Sequence, residues 1–347
     1  MNEVFDVTII GGGPSGLYSA FYSGLRNLKT KLIESQPVLG GKVNLYPDKI
    51  LWDVGGLTPI TGKQFLSNCI TQGLTFHPTV CLNTEVSLIT KVAGVFDIRA
   101  SNGAHHYSKA VILAYGSGII TPNKLEVDGA EQFERTNLHY IPSSLDAFRN
   151  KEVFLSGGGN TAIEQANELL SIANGVTLAY RSNELRAHEH SVESFCNNGG
   201  TLLLETQIRS FHSNRQGEIE AVSLSVGGEH RTVVSNAVIV NHGFASKQAI
   251  TFGDVVELTF NENNFIEGSP DSTIGHPGIF AAGDAIAYTG KVNLLVGTFQ
   301  DAVNAVNSVK QYLNPTAEKH AMVSSHNEAF VEKNKQFSLS ICRFVDL

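Results

Sequence analysis

The chain has 347 residues, enough for two domains with cores of their own. Its formal net charge of −8 excludes a general nucleic-acid binder, while a local basic patch facing an acidic protein stays open. No run of 18 apolar residues occurs, so no membrane span is expected. Glu3 and Asp6 stand where a signal peptide would be basic or apolar, so a cytoplasmic protein is expected.

The first element is a strand over Val7–Ile10, closed by Gly11-Gly12-Gly13-Pro14-Ser15-Gly16. Leu17, Ala20, Phe21 and Leu25 then recur as one helical face. A short buried strand, Thr30–Ile33, ends at Glu34, 18 residues after Gly16. Strand, glycine turn, helix and acid in this register form a dinucleotide-binding unit. Backbone N–H groups at a helix start face the pyrophosphate, with no side chain in the way. Glu85–Ile89 and Val95–Ile98 alternate as a meander would, and Ala110–Gly116 reads as a buried parallel strand returning to the first.

A second unit begins near residue 119. Val153-Phe154-Leu155 leads into Gly157-Gly158-Gly159-Asn160-Thr161-Ala162. Ala162, Ala166, Leu169 and Leu170 share a helical face, and the strand Val176–Tyr180 ends at Arg181, with Arg186 five residues on. Ala237–Gly243 repeats the strand-to-glycine ending. The chain then returns to the first domain: Gly278–Asp284 is a strand ending in Gly-Asp. Phe299, Val303, Val306, Val309 and Leu313 mark a long helix that Asn314-Pro315 stops. The implied layout is α/β: a split domain, 1–118 and 246–347, with a second domain, 119–245, inserted and crossing strands near 118 and 245 as hinges.

The two acid–base signatures differ. Glu34 accepts bonds from a free ribose 2′-OH and repels a 2′-phosphate. Arg181 and Arg186 suit a 2′-phosphate. FAD is therefore expected on the first unit and NADP on the second, the latter held by Gly157, Gly159, Asn160, Thr161 and the two arginines. Asp284 suits the ribityl hydroxyls of a flavin. Cys69, Cys81, Cys196 and Cys342 show neither C-x-x-C nor C-x4-C spacing, so no dithiol pair or zinc knuckle is expected. His188 and His190 lack further ligands nearby and read as polar surface.

Ile-Ile-Gly-Gly-Gly-Pro-Ser-Gly, Gly40-Gly41, Ala-Ala-Gly-Asp and Gly-Gly-Gly-Asn-Thr-Ala resemble the low-molecular-weight thioredoxin reductases. Those carry a C-x-x-C pair just before the second glycine turn; here Leu138–Ser144 contains no cysteine. Asn44–Lys49, Arg186–Glu193 and Tyr288–Leu294 resemble the branch without that pair, the thioredoxin-reductase-like ferredoxin (or flavodoxin)–NADP reductases. The resemblance covers residues 4–330 and implies two Rossmann-like three-layer domains of the pyridine nucleotide-disulfide oxidoreductase superfamily. It further implies a homodimer that passes hydride from NADPH to flavin N5, then single electrons to ferredoxin or flavodoxin.

The resemblance also assigns roles. Gly11, Gly13, Pro14, Ser15, Gly16, Glu34, Gly41 and Asp284 would hold FAD, with Val86 and Ile120 lining it. Tyr46 would stack on the flavin, and Ser325 and His326 would cover its other face. Lys42 would also bind FAD as a hydrogen-bond donor that brings a charge near the flavin; it stands where the family usually has glutamine, and Arg181 where it often has two arginines. Gln336–Leu347 extends past the usual end, an apolar docking segment by composition. Two other functions are a disulfide reductase acting through Cys196 alone and a flavin and nucleotide sensor that never turns over.

Overall fold

The structure is a computed structural model that describes residues 3–335, except 143, 248–249, 254–257 and 263; for 119, 120, 246 and 247 it describes backbone alone. The expected tail segment Gln336–Leu347, with Cys342, lies outside the described residues. The chain divides into two units, Met1–Ile119 with Lys247–Leu347 and Ile120–Ser246.

Strand β1 (Val4–Ile10) feeds the glycine turn, and α1 (Pro14–Leu25) starts with proline at its first position, where its missing N–H leaves no bond unmade. Leu17 and Ala20 are buried as expected, but Phe21 and Leu25 are half-buried; Ser15, Ser19 and Ser23 fill the inner face instead. Small side chains let a helix lie close to its sheet. Phe21 joins an aromatic group with Tyr18, Phe76 and Phe330. Strand β2 (Thr30–Ile33) runs parallel to β1. Next come α2 (Gly62–Gly73), capped by the Thr61 hydroxyl, and β3 (Thr79–Cys81).

Strands β4 (Val86–Val92), β5 (Val95–Ala100) and β6 (His105–Leu113) form the antiparallel meander. The meander's last strand and the strand returning to β1 prove to be one: β6 also pairs with β1 in parallel. A bulge between Val86 and Leu88 breaks the burial alternation along β4.

After β7 (Ile119–Pro122), unit 2 builds β8 (Leu138–His139), β9 (Glu152–Gly157), α3 (Asn160–Leu169), β10 (Gly175–Ala179), α4 (Glu189–Asn197) and β11 (Thr201–Leu203). An antiparallel sheet of β12 (Thr206–Ser213), β13 (Ile219–Val226) and β14 (Glu229–Val234) follows. Its alternation carries many polar residues, so its period-two signal in the sequence is weak. Strand β15 (Ala237–Asn241) completes a parallel sheet of order β8-β15-β9-β10-β11. Val153, Leu155, Leu178 and Ile239 pack toward α3 and α4, while Phe154, Ala179, Val238 and Val240 pack toward β13. Period-two alternation thus buries both faces and makes three layers.

Strand β16 (Phe244–Lys247) pairs with β7. Back in unit 1, β17 (Thr251–Phe252) and β18 (Ile279–Ala281) join the sheet. Its order is β17-β4-β5-β6-β1-β2-β3, with β18 on β6. Helix α5 (Leu295–Leu313) buries Ala302, Ala305, Val306 and Val309, together with Asp301. Phe299, Val303 and Leu313, expected on that face, are half-buried. No described helix is long and apolar enough to cross a membrane.

Candidate dinucleotide sites

In unit 1 the glycine turn is fixed by contacts only glycine allows. Gly11 has φ +109°, and a Cβ there would strike the Ala114 carbonyl. A Cβ on Gly16 would strike the Gly11 carbonyl. Gly12 N–H donates to Glu34 Oε2 at 2.6 Å, and Gly40 N–H donates to the Gly12 carbonyl at 2.8 Å. Glu34 Oε1 accepts from Gln36 N–H at 2.8 Å and from the Ser35 hydroxyl at 3.1 Å. Glu34 is only 6% exposed, so these donors offset the cost of burying its charge.

Three features leave the turn ready for a pyrophosphate. The N-cap Gly13 supplies no side-chain cap, so N–H groups at the start of α1 keep donors free. A Cβ at Gly13 would meet only the Gly41 Cα, at 3.7 Å. The Ser15 hydroxyl is buried with no partner. A phosphate satisfies all of these at once, so the residues present fit a dinucleotide.

Lys42 closes the other side. Its Nζ donates to the Ser117 hydroxyl at 2.7 Å and to Asp284 Oδ2 at 3.2 Å. Asp284 sits on the turn Gly283–Ala285, and that turn is held from beneath. The fully buried Asp301 carboxylate accepts from Gly283 N–H at 3.1 Å and from the Tyr288 hydroxyl at 2.6 Å. It also pairs with the Lys291 ammonium. Burial, the bond to Asp301 and the Asp301 charge push the Tyr288 phenol up to about 12. Tyr46 is half-buried; burial and then the Asp284 and Asp53 carboxylates raise its phenol.

Not every expected residue joins this group. Val86 fills the core beside Ile10 and Ile33. Ile120 lies on β7, and its side chain is not described. Ser325 and His326 are exposed and bond to each other at 3.1 Å. Among the described residues, no hydrogen bond or ion pair links them to Tyr46, Lys42 or Asp284. Asp301 and Ser117 escaped the sequence reading. An aspartate on an apolar helix face was the available signal for Asp301.

In unit 2 the second turn opens a cleft of about 750 Å³. Gly157, Gly159, Thr161, Arg181 and Arg186 line it, joined by Lys124, Tyr140, Arg209 and His242. The N-cap Gly159 again supplies no side-chain cap, and a Cβ on it would meet nothing within 4 Å. Arg186 is brought to the turn by its own backbone: its N–H donates to the Gly158 carbonyl at 2.7 Å. Asn160 Oδ1 accepts from His188 N–H at 2.9 Å and pins the same loop. The His242 ring meets the Ser156 hydroxyl at 2.8 Å. Crowding by protein, and then the Arg181 charge, lower its pKa.

Cys69 is buried, and burial pushes its thiol up to about 11. Cys196 is exposed on α4 and is not among the residues lining the cleft. The geometry gives neither cysteine a place beside a nucleotide turn.

Two glycine-turn α/β units in a split-and-inserted order define the class. Residues 5–308 match the pyridine nucleotide-disulphide oxidoreductase family, and the chain belongs to it. The resolved thioredoxin reductase of Lactococcus lactis covers 89% of this chain and 99% of its own, at TM-score 0.68 and 22% identity, which shows the shared fold. Nearer in sequence is ferredoxin–NADP reductase 3 of Lysinibacillus sphaericus. It is 48% identical over 340 residues, 96% of this chain and 97% of that one. Ferredoxin–NADP reductase 1 of Bacillus licheniformis is 46% identical over the same shares.

Proposed function

We propose that the chain is an FAD-dependent oxidoreductase that moves electrons between NADPH and ferredoxin or flavodoxin. The observation that carries this is the contrast between the two turns: one ends on a buried carboxylate, the other on guanidiniums that have no side-chain partner among the described residues. Nearly full-length relatives named ferredoxin–NADP reductase support the choice of carrier.

Bound FAD supplies the two-electron and one-electron chemistry that no side chain provides. The protein's part is to bind and orient. The start of α1 and the Ser15 hydroxyl hold the pyrophosphate, and Gly11, Gly13, Pro14, Gly16 and Gly41 keep side chains out of its way. Glu34 accepts from the adenosine ribose. Asp284 accepts from the ribityl hydroxyls, with its charge balanced by Lys42. Tyr46 stacks on the flavin ring. In the inserted domain Gly157, Gly159, Asn160 and Thr161 hold the second pyrophosphate, and Arg181 and Arg186 bind the 2′-phosphate. We take the setting to be cytoplasmic and the assembly to be a homodimer, as is common in this architecture; a monomer by sedimentation equilibrium would contradict the latter.

The reading is tested by NADPH-driven reduction of cytochrome c with and without added ferredoxin. Reduction that requires the carrier and survives Cys196→Ser supports it. Flavin that NADPH does not reduce, or activity lost with Cys196, overturns it.

A further inference from the structure

A third arginine, Arg209, lines the cleft of unit 2. The antiparallel pairing runs Ile208 to Leu224 and then Ser210 to Ser223, so Arg209 is the extra residue of a bulge. A bulge leaves its residue unpaired and re-aims the side chain, and bulges gather beside functional sites. Arg209 lines the same cleft as Arg181 and Arg186.

Its strand is tied to the segment that carries Arg181. Glu205 N–H donates to the Ser182 carbonyl at 3.0 Å, and Thr206 N–H to the Tyr180 carbonyl at 2.9 Å. These two bonds bracket Arg181. Arg209 follows three residues later, roughly 10 Å along an extended strand, a span that two opposed arginine side chains can close around one phosphate. Among the described residues, none of the three guanidiniums has a carboxylate partner or a side-chain hydrogen bond. Among the described residues that line the cleft, Glu126 is the one carboxylate. Lys124, also in the lining, is neutralised by Glu134 at 2.6 Å. The uncompensated positive charge of the cleft is therefore arginine, whose planar fork suits phosphate oxygens.

We propose that Arg209 is a specificity-determining residue that binds the 2′-phosphate of NADPH together with Arg181 and Arg186. The proposal rests on the reading of unit 2 as the NADPH domain.

The test is calorimetric titration of the FAD-loaded protein with adenosine 2′,5′-bisphosphate and with 5′-AMP. Arg209→Gln should weaken the bisphosphate about tenfold or more, the scale of one charge-assisted bond, and leave 5′-AMP within about twofold. Arg209→Lys should recover part of the loss through charge alone. Equal weakening of both nucleotides would mean that Arg209 stacks on the base and would overturn the assignment, as would no change at all. A wild-type protein that binds both nucleotides equally would instead sink the NADPH reading beneath it.

Discussion

The two nucleotide turns share a plan and differ in the charge at the strand end that follows. In unit 1 the strand after the helix ends on Glu34, 6% exposed and anchored by the N–H groups of Gly12 and Gln36. In unit 2 the matching strand ends on Arg181, an exposed guanidinium without a partner among the described residues. A carboxylate fixed in place can only accept, which favours a ribose hydroxyl and rejects a phosphate. A free guanidinium waits for an anion. On the proposed reading, the charge at this strand end is what gives each copy of the scaffold its own cofactor.

The sharpest way to break this comparison is to damage each turn in turn. Gly16→Ala drives a Cβ into the Gly11 carbonyl, and the purified protein should lose its flavin altogether, read from the visible spectrum. Gly158→Ala drives a Cβ into the Tyr180 ring. That protein should stay yellow and lose roughly 10- to 100-fold in NADPH affinity, the scale of local overpacking. A colourless Gly158 variant would show that the two turns do not act separately.

Exchange of the terminal charge should have a somewhat smaller effect. Arg181→Gln should lower the preference for NADPH over NADH by about 10- to 100-fold in kcat/KM, with flavin content unchanged. Glu34→Gln keeps an acceptor but sets an NH₂ group against the Gly12 N–H. Its FAD affinity should fall about tenfold by fluorescence titration, with nucleotide preference intact.

The smallest effect concerns the buried brace of unit 1. Tyr288 holds its proton up to about pH 12, whereas an unfolded tyrosine loses it near 10. The folded state therefore binds more protons above pH 10. The stabilisation is complete below that pH and fades as pH rises toward 12. Urea unfolding of the wild type and Tyr288→Phe across this range should show a shallower alkaline decline in the variant.

Much of this was legible in the sequence because glycine turns and strand-end charges are local signals. Gly11–Gly16, Glu34, Gly157–Thr161 and Arg186 lie where their spacing puts them. What stayed hidden depends on long-range pairing. The Lys42–Asp284 bond joins residues 242 apart in sequence. Asp301 looks like a misplaced acid until the fold sets it beneath Gly283. Arg209 is aimed by a bulge that appears only when β12 meets β13. Helix α1 misled because close packing favoured serines over Phe21 on the inner face. His326 is the residue whose role sequence resemblance carried furthest beyond any contact in the fold.

The most direct test is an anaerobic titration of the purified protein with NADPH and, separately, NADH, following the flavin absorption band. Stoichiometric NADPH should bleach the band while NADH lags by at least about tenfold, and Arg181→Gln should close that gap where Glu34→Gln does not. Equal bleaching of the wild type by both nucleotides, or a colourless protein that FAD cannot reconstitute, would contradict the assignment of one cofactor to each turn.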